Sequence, residues 1–286
     1  MNIDRRRFLQ AGLAAAAACG LGQRLDVVRA AGEAPAPEKR SLQEIGIIGG
    51  VPEDMKGDWR KSLRRMAEIG YRVLEGGPRR QSPGDFLKFL EEIKLKLVSS
   101  GVGFGKKLPQ RWLDAAKALH AEYGVVFSPW FHPPEKLTLD ELKEIADALN
   151  EAGRQAKAAG VKLAFHNHYQ EFRPLDGKPI FDRLLDLTQP DLVSVEMDLC
   201  WVVRGGADPV DYFKRYPGRF ELLHVKDLGK APDYEMVPVG AGTIDFARIF
   251  AACPASVKHF IVELEGKANT MKAAEESHRY LSGLKF

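Results

Sequence analysis

The stretch that most constrains this chain runs from Ser194 to Asp227. Val193, Val195 and Met197 alternate with other residues on the way to Asp198, and Phe220, Leu222 and Leu223 lead to His224. Each reads as a short strand that finishes on a group able to bind a metal. Between them, Asp208-Pro209-Val210-Asp211-Tyr212-Phe213 has the form of a capped helix start, with Asp208 as N-cap and Pro209 at the first helical position. Strand, helix, strand is a parallel crossover unit. It predicts that Asp198 and His224 sit side by side at the carboxyl ends of neighbouring strands, where (β/α)8 barrels carry their chemistry.

The rest of the chain repeats the alternation. Strands are predicted at Ile45–Gly50, Tyr71–Glu75, Leu95–Ser100, Val125–Trp130, Lys162–Phe165 and His259–Glu263, in addition to the pair above. Helices are predicted from Asp58 to Ile69, from Pro83, from Pro109 to Tyr123, from Thr138 to Gly160, at Ile244-Asp245-Phe246, and from Ala268 to Leu284. The Thr138-Leu139-Asp140-Glu141 start fits a capping box. Eight strands separated by helices predict a single-domain (β/α)8 TIM barrel, with a doubly wound sheet as the alternative. No G-x-G-x-x-G follows the first strand, which weakens a dinucleotide-binding reading.

The N-terminus reads differently. Asp4-Arg5-Arg6-Arg7-Phe8-Leu9-Gln10 precedes an Ala-rich run too short and mild for a stable membrane span, and Val28-Arg29-Ala30 offers small residues at a cleavage spacing. This head resembles a twin-arginine export signal, with Arg5-Arg6, Phe8 and Leu9 in the matching places. Residues 1–30 are therefore expected to be a signal, 31–41 a linker, and 42–286 the barrel. Periplasmic location and the translocation machinery as a partner follow from that expectation. A lipid anchor at Cys19 is disfavoured, because Ala16-Ala17-Ala18 makes a poor lipobox. The mature stretch of about 245 residues suits one barrel. A net charge of +3, partly contributed by the Arg-rich head, gives no basic surface for nucleic acid. Cys200 and Cys253 alone do not make a disulfide framework.

Polar residues collect at the predicted strand ends: Glu75, His132, His166, His168, Glu171, Asp198, His224, Lys226, Asp227, Glu263 and Glu265. Carboxylates and imidazoles converging on one barrel mouth suit a single divalent ion such as Mn, Zn, Co or Fe. The chain resembles the xylose-isomerase-like sugar phosphate isomerase/epimerase superfamily (AP endonuclease family 2 type). The match is to its His-Asn-His-x-x-Glu-Phe branch, here His166-Asn167-His168-Tyr169-Gln170-Glu171-Phe172. Further matching pieces are Met197–Trp201, Leu223–Asp227, Val239–Asp245 and Val262-Glu263. The resemblance implies a metal held by Asp198, His224 and Glu263, with either His166 or Glu171 as the fourth ligand.

The implied chemistry is enolisation beside a carbonyl, with Glu263 as ligand and candidate base. Lys226 would stabilise oxyanion charge, His168 would shuttle protons, and Glu171 is a further catalytic candidate. His166, Glu75, Trp130 and Trp201 are the candidate substrate contacts, the last two by stacking on a sugar face. The leading reading is a metal-dependent sugar isomerase or epimerase acting on a small-molecule sugar. The alternatives are a 3-keto-glycoside lyase or hydratase on the same site and a non-catalytic periplasmic sugar-binding barrel. DNA hydrolysis is a further class; seven His and the small charge argue against it. A homo-oligomer is compatible with this reading. Lys226-Asp227 could also be a local ion pair that orients His224.

Overall fold

Strand and helix alternate through the chain and close on themselves. The computed structural model describes residues 39–50, 52–55, 57–105, 108–130 and 136–286, and Lys39–Phe286 forms one compact unit. The predicted signal, Cys19, most of the linker and His132 lie outside the described residues. Eight strands form the barrel: β1 (Gly46–Ile48), β2 (Val73–Glu75), β3 (Lys96–Gly101), β4 (Tyr123–Val126), β5 (Lys162–His166), β6 (Val193–Asp198), β7 (Phe220–Val225) and β8 (His259–Val262). Each pairs in parallel with its sequence neighbours, and β8 closes on β1 through Gly46↔Ile261 and Ile47↔Val262. The chain is a (β/α)8 TIM barrel.

The helices around it are α1 (Trp59–Ile69), α2 (Pro83–Glu92), α3 (Gln110–Ala118), α4 (Leu139–Ala158), α5 (Ile180–Leu187), α6 (Leu199–Arg204), α7 (Pro209–Arg215), α8 (Phe246–Ala251) and α9 (Met271–Gly283). Their starts follow local chemistry. Thr138 accepts from the Glu141 N–H, and Glu141 reaches back to the Thr138 N–H at 2.8 Å, completing the capping box. Asp208 caps α7 as its Asp-Pro signature predicts. The stretch expected as one connection after Asp198 holds two short helices, because Asp198 itself caps α6.

One boundary moves. Helical periodicity runs to Tyr123, but α3 ends at Ala118 and Tyr123 and Gly124 enter β4. Pairing decides this: Tyr123 lies beside Ser99 on one side and Lys162 on the other, and Gly124 receives the Trp112 ring where a β-carbon would stand 2.2 Å away. Part of the expected linker also belongs to the barrel's edge, since Arg40 exchanges backbone hydrogen bonds with Phe286 at 2.7 and 3.0 Å.

Strand alternation splits the core in two. Leu74, Phe165, Val195, Met197, Leu223 and Val262 face outward into the helix layer. Val73, Val98, Tyr123, Val125, Ala164, Leu222 and Ile261 form a separate apolar plug inside the barrel. Below this plug, charges ring the amino-terminal end: Glu221 takes Lys162, Lys258 and the Tyr123 hydroxyl, and Glu122 takes Lys96. Above it lies a layer made almost wholly of ionisable groups.

Candidate active site

Continuing each alternation by one or two residues past the plug reaches the site. After Val73 comes Glu75, after Ala164 His166, after Leu222 His224 and Lys226, and after Ile261 Glu263. On β6 the same face carries Ser194, Glu196 and Asp198, all buried. One atom from each of His166, Asp198, His224 and Glu263 lies within 4.8 Å of the others. His224 Nδ1 stands 3.0 Å from Glu263 Oε2, and His166 Nε2 stands 3.8 Å from Asp198 Oδ2. The Lys226 ammonium crosses this group, 3.2 Å from Asp198 Oδ2, 2.7 Å from Glu263 Oε2 and 3.1 Å from Glu265 Oε2, and sits over the Trp201 ring at 4.7 Å.

The two carboxylates and two imidazoles form an N/O donor set that suits a borderline divalent cation. Asp198 Oδ1 is spent on the Trp201 N–H at 2.8 Å, whereas its buried Oδ2 makes no hydrogen bond of good geometry among the described residues and is met by the Lys226 ammonium at 3.2 Å. A buried carboxylate oxygen that already draws one cation is a donor suited to a divalent one. The residues therefore fit the metal that the resemblance implies. Of the two alternatives for the fourth ligand, His166 joins the cluster. Glu171 turns back instead, its Oε2 accepting the His168 N–H at 3.0 Å.

The other expected residues are placed as follows. His168 is half-buried, its ring 5.0 Å from that of His166 and 6.1 Å from Trp201. Trp130 is half-buried and lies beside the Glu171 carboxylate. Trp201 is 7% exposed, packed below Lys226. Glu75, expected to contact substrate, is 1% exposed and closed off: Ser99 donates to its Oε2 at 2.6 Å and His224 Nε2 lies 2.9 Å from its Oε1. Asp227 does not pair with Lys226. Its carboxylate accepts the backbone N–H groups of Gly240, Gly242, Ile244 and Leu228 at 2.9 to 3.3 Å, which moors the loop after β7.

Burial and mutual charge set the protonation states. Burial alone would lower His224, but Glu196, Glu75 and Glu263 hold it well above its ordinary value. His166 is pushed well below, first by burial and then by the charge on His224. Burial raises Glu263, yet His224 and Lys226 outweigh it and keep this carboxylate ionised. Burial and the neighbouring Glu75 charge raise Glu196 well above the usual carboxylate range. Burial also lifts Glu171 to about 7 and lowers His168, the latter with help from Lys226.

Glu196 escaped the sequence reading. Counting back two residues from Asp198 along a strand would have found it, since residues i and i−2 share a face.

Residues 63–284 match the model of the family described as xylose isomerase-like TIM barrel. The chain belongs to that family. An inosose dehydratase from Lacticaseibacillus casei is 27% identical, the match covering 83% of this chain and 96% of that one. A solved sugar phosphate isomerase/epimerase from Parabacteroides distasonis ATCC 8503 is 26% identical with a TM-score of 0.70, covering 88% and 96%. The IOLI protein, solved with a zinc atom bound, shares the xylose isomerase-like fold at 15% identity with a TM-score of 0.63, covering 83% and 96%.

Proposed function

We propose that this barrel is a metal-dependent carbohydrate lyase that removes water from a keto-polyol of the inosose type. The observation that carries it is the Lys226 ammonium laid across Asp198 and Glu263 beside two imidazoles, at the open end of the barrel. The dehydratase relatives support elimination over the isomerisation expected from the sequence. A divalent ion held by His166, Asp198, His224 and Glu263 would act as a Lewis acid toward the substrate carbonyl and its neighbouring hydroxyl.

The chain's own groups divide the remaining work. Lys226 donates toward the oxygen on which negative charge grows when the α-proton leaves. Glu263 is a poor base, since His224 and Lys226 lower its affinity for a proton and both occupy its Oε2. His168 is better suited to take the α-proton on an imidazole nitrogen. It is neutral, half-buried and adjacent to the cluster. The imidazolium so formed at His168 can pass its proton to the departing hydroxyl, so that water leaves and a C=C bond remains. The buried Glu171 holds the His168 backbone in place. Trp201, buried beneath the Lys226 ammonium, supports that charge with its ring face.

The same proton removal without a leaving group would give an isomer or epimer, the reading favoured by the Parabacteroides relative. Incubating the Mn2+-, Co2+- or Zn2+-loaded protein with inosose in D2O separates them. Loss of the β-hydroxyl with appearance of a conjugated product supports elimination; deuterium exchange with retained hydroxyls means isomerisation. Neither with any keto-sugar leaves a sugar-binding barrel and overturns the proposal. The proposal also includes export of the folded barrel by the twin-arginine machinery, supported by the Arg5-Arg6 head and tested by cell fractionation of parent and Arg5→Lys/Arg6→Lys protein.

A further inference from the structure

We propose that Glu196 is a positioning residue that, together with Glu75, decides which ring nitrogen each of two imidazoles turns toward the metal. This rests on the reading that His166, Asp198, His224 and Glu263 hold an ion. Glu196 Oε2 lies 3.3 Å from Nδ1 of His166 and 3.2 Å from Nε2 of His224. That oxygen is the hydrogen-bond partner of His166 Nδ1, while His224 Nε2, close to it, makes its hydrogen bond to Glu75 Oε1 at 2.9 Å. With those nitrogens claimed, His166 presents Nε2 toward Asp198 and His224 presents Nδ1 toward Glu263. Those are the two atoms that face the donor cluster.

The backbone builds this arrangement. Glu196 is the cross-strand partner of His166 on β5, and Asp198 is the partner of His224 on β7. The register between β6 and β7 shifts between Val195 and Glu196. Irregularities of this kind re-aim a side chain and recur beside active sites. Glu196 therefore sits one layer beneath the donors, under both rings at once, with no exposure to a substrate. Glu75 supports it from the other side, with Oε1 on His224 Nε2 at 2.9 Å and Oε2 held by Ser99.

Outer carboxylates fix the tautomer and orientation of metal-binding His, and their loss typically weakens metal affinity by about 10–100-fold. Packing alone does not explain Glu196. An aliphatic side chain would fill the space without burying a carboxyl group, and burying one is costly unless it is bonded. Glu75, Glu196 and His224 could themselves bracket an ion, their atoms lying within 4.8 Å, so the stoichiometry must be read as well.

The first test uses the zinc-loaded parent protein, with 15N NMR of the imidazoles. Protonation at Nδ1 of His166 and Nε2 of His224 is expected; the reverse pattern at either ring overturns the proposal. The second compares Glu196→Gln and Glu196→Asp by calorimetric titration with Mn2+ and by the visible spectrum of the Co2+ form. Glu196→Gln should bind about 10–100-fold more weakly with an altered Co2+ spectrum, and Glu196→Asp should recover part of both. An unchanged affinity and spectrum in folded Glu196→Gln overturns the proposal, whatever its melting temperature. So does a second ion per chain that this variant loses. If the parent binds no ion at all, the metal reading itself fails, and that result is distinct from either of these.

Discussion

Asn167 grips the backbone of Asp198 at both ends. Its Oδ1 accepts the Asp198 N–H at 3.0 Å, and its Nδ2 donates to the Asp198 carbonyl at 3.3 Å. His166 on its amino-terminal side enters the metal-donor cluster and His168 follows it at the mouth, so the middle residue of the His-Asn-His motif serves as a clamp between β5 and β6. Because Asn167 is fully buried, Asn167→Ala should strand both backbone groups and cost about 2–4 kcal/mol. Metal affinity should fall with it, because Asp198 is then free to shift. Urea unfolding and Mn2+ titration check this; an Ala variant equal to the parent in both would contradict the clamp.

Lys226 is the cation that makes the acidic mouth tolerable in the metal-free protein. Its side chain is 2% exposed and touches Asp198, Glu263 and Glu265. Lys226→Met leaves buried carboxylates uncompensated, so metal-free stability should drop by about 3–5 kcal/mol. Added Mn2+ should restore more stability to the variant than to the parent, while turnover is lost. Denaturation in EDTA and then in Mn2+ measures both effects, and equal stability of the two proteins in EDTA would refute this account.

Glu171 should leave a signature in the pH dependence of stability. Burial raises its carboxyl from the ordinary 4.5 to about 7, so the folded protein keeps a proton that the unfolded chain releases. The stabilisation from this group is full below 4.5 and is lost as pH rises through about 7. Glu171→Gln cannot ionise. Its metal-free melting temperature should fall less than the parent's between about pH 5 and pH 8. Parallel curves for the two proteins would show that Glu171 is not held protonated.

Gly242 carries the mooring of the loop that follows Lys226. A β-carbon there would lie 2.2 Å from Asp227 Oδ1 and 2.5 Å from the Leu228 carbonyl. Gly242→Ala must push the loop off the carboxylate that accepts the Gly240 and Gly242 N–H groups, at a cost of about 1–3 kcal/mol. Thermal unfolding should show the loss, and Gly229→Ala, at a roomier position with its nearest contact at 3.6 Å, should not match it.

The amino-acid sequence by itself determined the elements and most of the mouth. Thr138 with Glu141 and Asp208 with Pro209 announce their helices because capping is a contact within one turn. Asp198, His224 and Glu263 were legible because each ends an apolar run and because their flanking residues match a known family. What lay beyond local chemistry was decided only by the closed barrel. Tyr123 left its helical pattern for β4 because strands on both sides offered it hydrogen bonds. Glu75 turned from a candidate substrate contact into a support for His224 once ring closure brought residues 149 positions apart within 2.9 Å. The Glu196 oxygen lies within 3.3 Å of both His166 and His224, which are distant in the chain, beside a register shift between β6 and β7. Periodicity and capping act over a few residues, whereas the direction of a buried charge depends on every strand that surrounds it.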